Sequence, residues 1–194
     1  MNLSSVAESM DRFTYADYLT WDNSVRYELI YGIPHMMSAP SPWHQRTVRG
    51  LFTQIEGYLR GKPCEPFFAP IDVRLYPAPD NQDMVVVQPD ILVVCDKSKV
   101  GKQAIEGPPD FIIEIVSPAS KVMDMEDKRR LYLAAGVREY WIVGRDTVIK
   151  LVNDNGEWEE AIVKFGENQM EVPAAIFDGC VLNLGMGDEW GSGE

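Results

Sequence analysis

Between His44 and Arg60 the apolar residues Val48, Leu51, Phe52, Ile55 and Leu59 recur three and four places apart. That spacing lines one face of an α-helix, and Gly61 and Pro63 end it. A second helix is predicted from Asp124 to Ala135, with acids in its first turn and Gly136 as its C-terminal cap. A short one spans Thr14 to Leu19, with Thr14 as the cap. Elsewhere the apolar residues come in short runs bounded by Gly and Pro, the pattern of strands. Tyr27 to Ile30 and Ile33 to Met37 flank Gly32, and the segment SAPSPW then breaks regular structure. Glu65 to Phe68 and Ile71 to Leu75 flank Pro70; MVVVQ follows, and ILVVC opens after Pro89-Asp90. A polar loop carrying Lys97, Lys99 and Lys102 leads to FIIEIV, a run so short and so apolar that it reads as a central strand buried on both faces. Glu139 to Val143 is the next strand, and Thr147 to Val152, Glu157 to Lys164 and Gln169 to Val172 suggest antiparallel strands at the acidic end. Helix, strands, helix, strand in this order predicts an α/β fold with a mixed β-sheet flanked by helices.

Length and composition fit one domain over residues 1–194. Within it a core of about 13–152 is expected, then an acidic antiparallel extension of about 153–185 and a flexible tail, 186–194. No apolar stretch is long enough to cross a membrane and the N-terminus lacks a signal-peptide pattern, so neither is expected. The net charge of −12 argues against tight non-specific binding to DNA. Its distribution changes the picture: residues 154–194 hold ten acids and one base, −9, which leaves −3 for residues 1–153. Cys64, Cys95 and Cys180 form no CxxC pair, so neither a thiolate zinc site nor a disulfide is expected. Cys95 reads as a small buried hydrophobe, and a reducing cytoplasm is the natural setting.

Glu114, in the middle of FIIEIV, carries the chemistry. An ionised carboxylate among apolar neighbours needs a metal, a cation or an open strand end to compensate its burial. Asp90 begins a neighbouring apolar strand, and two close carboxylates are tolerated best with a divalent cation between them. Oxygen-only ligands favour Mg²⁺ or Mn²⁺. Asp90 capping a turn after proline, with Glu114 paired to a structural arginine, satisfies the same residues. Tyr132, Tyr140 and Trp141 read as core packing. The chain has no Walker A loop, GxGxxG turn, HExxH helix or GxSxG elbow.

The order and spacing of several segments resemble the Uma family of stand-alone restriction endonucleases, within the PD-(D/E)XK nuclease superfamily. The segments are YELIYG (Tyr27–Gly32), His44-Gln45, Asp72-Val73, VVQPDILVV (Val86–Val94), GPPDFIIEIVSPAS (Gly107–Ser120), Asp124-x3-Lys128-x3-Tyr132 and AGVREYWIV (Ala135–Val143). The resemblance implies a restriction-endonuclease-like core and Asp90 and Glu114 as ligands of Mg²⁺ or Mn²⁺. It implies metal-assisted hydrolysis of DNA by a homodimer. It suggests Glu28 as a further carboxylate, against a plain strand residue. His44 and Gln45, at a helix start, would favour phosphate through its free N–H groups or serve as its cap. The superfamily lysine normally stands two residues after the glutamate, where this chain has Val116; Lys128 on the next helix takes that place. Asp124, Lys128, Leu131, Tyr132 and Ala135 share one helical stripe, which turns Lys128 inward; the alternative is an exposed Asp124–Lys128 ion pair. A catalytically inert dimeric binding protein that keeps the fold is the rival reading.

Overall fold

The computed structural model describes residues 12–22, 24–116, 122–164 and 171–185, and the side chains of 122–125 are not among the described atoms. The expected tail, 186–194, and the expected strand start at Gln169 lie outside the described residues. In chain order the elements are α1 (Tyr15–Tyr18), β1 (Tyr27–Ile30), β2 (Ile33–Met36), α2 (Pro42–Leu59), β3 (Glu65–Phe68), β4 (Asp72–Arg74), β5 (Val86–Val87) and β6 (Ile91–Val94). Then follow β7 (Ala104–Glu106), β8 (Phe111–Ile115), α3 (Val122–Ala135), β9 (Glu139–Val143), β10 (Thr147–Asp154), β11 (Glu157–Lys164), β12 (Glu171–Pro173) and β13 (Val181–Asn183).

The α/β architecture is the expected one, but its strands divide between sheets. A six-stranded sheet runs β11-β10-β9-β8-β6-β3, a five-stranded one runs β2-β1-β5-β4-β7, and β12 pairs with β13. Two pairings are parallel, β8 with β9 and β4 with β7, which makes both larger sheets mixed. The antiparallel C-terminal strands are present, with β10 and β11 continuing the large sheet beyond β9.

Side chains alternate across a strand, and that alternation explains how β6 and β8 can be apolar throughout. Ile91, Val93, Phe111, Ile113 and Ile115 pack with Leu51, Ile55 and Leu59 of α2. Leu92, Val94 and Ile112 pack with Leu131 and Tyr132 of α3 and with Val73, Val87 and Ile105 of the other sheet. Both faces are covered, and each such side chain stabilises the fold by roughly 1.5–3 kcal/mol relative to exposure. Among the described residues no helix is long and apolar enough to span a membrane.

Several expectations need correction. The segment SAPSPW does not stay irregular: α2 starts at Pro42, and Ser41, not His44, is its N-cap, accepting the His44 N–H at 3.2 Å. The polar lysine loop hides β7, whose Ala104 and Ile105 are buried. The expected absence of a disulfide is overturned by Cys64–Cys95. β3 and β6 are antiparallel with Glu65 opposite Val94, so one further step sets Cys64 opposite Cys95, Cα atoms 4.0 Å apart. A local search for CxxC cannot see a pair made by strand register. Cys95 is half-buried and bridged, and the buried free thiol is Cys180. The cysteine argument for a reducing compartment falls away with this pair.

Candidate active site

Strand register brings the two carboxylates together. In the β6–β8 pair Ile91 stands opposite Ile113, and the same register one step further sets Asp90 opposite Glu114. Alternation then puts both on the face shared by Leu92 and Ile112, toward α3 and the second sheet. Asp90 is fixed through Oδ2, which accepts the Ile115 N–H at 2.8 Å and lies 3.0 Å from His44 Nε2. Glu114, 8% exposed, accepts through Oε1 from Lys128 at 2.8 Å and from the Tyr132 hydroxyl at 2.9 Å.

α3 turns its inner stripe to this spot. Lys128, Leu131 and Tyr132 lie on it, the last two fully buried. The Lys128 ammonium, its side chain 12% exposed, also sits 2.8 Å from Glu28 Oε1 of β1. It therefore bridges carboxylates from both sheets, and the cationic partner of Glu114 is a lysine, not an arginine. Lys128 thus does not stand on an exposed face; the Asp124 side chain lies outside the described residues. Val116 follows β8 and is partly buried against the apolar cluster on the same side.

Electrostatics follow from burial. Desolvation pushes the Glu114 carboxyl up to about 7; Lys128 opposes the rise, while Asp90 and Glu28 add to it. Burial alone would lower the Lys128 ammonium, but Glu114 and Glu28 outweigh it and hold it well above its ordinary value. For His44 burial likewise lowers, and the hydrogen bond and charge of Asp90, with Glu114 behind, raise it overall.

Sequence reasoning missed a polar layer behind Glu28. The Gln88 N–H donates to Glu28 Oε1 at 2.8 Å, and its side-chain amide donates to Asp72 at 2.8 Å. The same amide accepts Arg26 through Nε at 2.9 Å and Nη2 at 2.6 Å. Tyr18 donates to Asp72 at 3.0 Å. One signal was present: Gln88 is the polar residue ending an apolar run, MVVVQ.

A cavity of about 650 Å³ opens over the cluster, with Glu28, His44, Asp90, Glu114 and Lys128 in its wall. Gln45 also lines it, but its exposed side chain makes no described contact with the carboxylates. The Tyr140 hydroxyl, at the same wall, is buried and has no hydrogen-bond partner among the described residues, and its ring meets Tyr132 edge-on at 4.9 Å.

The donor set suits a hard cation. The described hydrogen bonds of Asp90 converge on Oδ2 and those of Glu114 on Oε1, so each carboxylate keeps a second oxygen outside them. Among the described residues no three His, Cys, Asp or Glu groups form a cage. Mg²⁺ does not require one: it is commonly held by one or two carboxylates, with water and phosphate oxygens completing its shell.

Comparison with known proteins agrees with this fold. No curated protein matches the chain. A crystal structure described as "a putative nuclease belonging to DUF820", from Anabaena variabilis, superposes with a TM-score of 0.67 at 18% identity, covering 85% of this chain and 90% of that one. At that identity the likeness speaks for the fold. The family pattern of Uma2, described as "Putative restriction endonuclease", matches residues 15–185. Spanning nearly all the chain, that match identifies it as a member of the Uma2 family.

Proposed function

We propose that the chain is a metal-dependent endonuclease that hydrolyses phosphodiester bonds in DNA, with Asp90 and Glu114 holding Mg²⁺ or Mn²⁺ and Lys128 assisting. One observation carries the reading: a lysine from α3 reaches two buried carboxylates beside a third, at the wall of an open cavity. A bound cation would supply Lewis-acid polarisation of the phosphoryl oxygen. The remaining work falls to side chains. Lys128 stabilises negative charge developing on the phosphate, a contribution worth about 10²–10³ in rate at comparable sites. Tyr132 and Lys128 fix the orientation of Glu114, and His44 with the Ile115 N–H fixes Asp90. Gln88 and the residues behind it fix Glu28. A homodimer belongs to the proposal; light scattering that gives a monomer at micromolar concentration removes that part of it.

One observation favours the rival, an inert dimeric binding protein: His44 already hydrogen-bonds Asp90, and Lys128 already pairs with Glu114. A cleavage assay separates the two. Plasmid and single-stranded DNA are incubated with Mg²⁺ or Mn²⁺, with Glu114→Ala as control. Cleavage by the wild type, lost in the variant and in EDTA, supports the enzyme. Intact DNA under every condition supports the binding protein.

A further inference from the structure

Two of the exposed large apolar side chains open onto the cavity that holds the carboxylates. Met36 is 73% exposed and Phe68 is 53% exposed, and both line it. Each stands on an edge strand: Met36 on β2, at the border of the five-stranded sheet, and Phe68 on β3, at the border of the six-stranded one. Phe68 is braced from behind by Phe52 of α2, ring centroids 4.7 Å apart and edge to face. Strand register ties this ring to the chemistry, since Phe68 stands opposite Ile91, the neighbour of Asp90. Arg26 lines the same cavity; its guanidinium donates to the neutral Gln88 amide, and its charge also acts on the Asp72 carboxylate behind it.

From these placements we infer that Phe68, with Met36 in the lining of the same cavity, is a stacking platform for an unpaired nucleobase, so that the substrate is single-stranded or locally unpaired nucleic acid. The inference rests on the nuclease reading of the site. A braced, exposed aromatic ring meets the flat face of any base, and such stacking tolerates sequence. Arg26 offers its charge to the adjoining phosphate. The global charge points the same way. Binding to a duplex relies on neutralising many phosphates, and even residues 1–153, which carry the site, have a net charge of −3 and not a basic excess. Stacking supplies affinity that does not depend on charge. The cavity volume, about 650 Å³, is large enough to admit a nucleotide. A second copy of the chain covering these edge strands is the competing occupant. The arginine and the carboxylates in the same hollow favour the polyanion with its counter-cation.

The test uses the full chain in EDTA, so that strands stay intact, and oligonucleotides carrying 2-aminopurine. The expected result is quenching of the probe on binding, with the single strand bound more tightly than the duplex of the same sequence. Phe68→Ala then weakens single-strand binding roughly five- to hundredfold, and Phe68→Trp restores it. Equal affinity for both forms, or single-strand binding that Phe68→Ala leaves unchanged, overturns the inference. So does a Phe68→Ala variant that loses self-association but not oligonucleotide affinity, which assigns the surface to a second copy. If plasmid is cut with Mg²⁺ while no single strand binds, the platform fails and the nuclease reading stands. If the single strand binds through Phe68 but nothing is cut with any divalent cation, the nuclease reading fails and the platform stands.

Discussion

Lys128 shows how much one side chain can be asked to hold. It is the shared cation for Glu114 and Glu28, all three largely buried. Removing one partner of a buried pair leaves uncompensated charge, at a cost of about 3–5 kcal/mol. Lys128→Met is therefore expected to lower stability by that order in urea unfolding and to lower DNA cleavage about a hundredfold or more. Glu114 adds a pH signature in the metal-free protein. Its folded pKa is raised to about 7 by burial, above the roughly 4.3 of an unfolded glutamate. The protonated form is thus favoured by folding, and this contribution is complete below about pH 4.3 and lost as pH rises through about 7. Unfolding in EDTA should show stability falling across that window relative to Glu114→Gln; parallel pH profiles contradict it. Glu114 stood out in the sequence because it interrupts an apolar run, and the inward turn of Lys128 because it shares a stripe with Leu131 and Ala135; Asp90 was marked by its place before an apolar strand and by the family resemblance. The roles of Gln88 and Arg26 were not, because they depend on which strands become neighbours across sixty residues.

α2 and β3 show where reading by element succeeds and where it stops. The helical stripe from Val48 to Leu59 is buried against the large sheet as its spacing predicts. Its start was misplaced, because Pro42 looks like a breaker yet is favoured in the first turn, after the Ser41 cap. That cap positions the turn carrying His44. Ser41→Ala is expected to cost about 1 kcal/mol in thermal unfolding, and an unchanged melting temperature would remove Ser41 from this role. The division of strands between two sheets was not legible, since strands of either sheet carry the same alternation. The pairings of β1 with β5, β5 with β4 and β4 with β7 separate them.

For the molecule as a whole, the disulfide is the feature least visible in the sequence. Cys64 and Cys95 are 31 residues apart and meet through strand pairing alone. Closing a loop of that length restricts the unfolded chain by roughly 3–4 kcal/mol at 25 °C in the chain-entropy account. Guanidinium unfolding with and without a reducing agent should show a loss of about 2–4 kcal/mol; identical midpoints would mean the bridge contributes nothing. The acidic C-terminal strands, by contrast, were legible as strands, and β10 and β11 extend the sheet that holds the site.

The central claim is that Asp90 and Glu114, set opposite each other by the register of β6 and β8, hold one divalent cation between them. Calorimetric titration of Mn²⁺ into EDTA-stripped protein near pH 8, above the range in which Glu114 takes up a proton, tests it most directly. The account predicts about one ion bound per chain by the wild type, with binding lost or greatly weakened in both Asp90→Asn and Glu114→Gln. Absence of binding by the folded wild type, or binding of equal strength in the two variants, would contradict it.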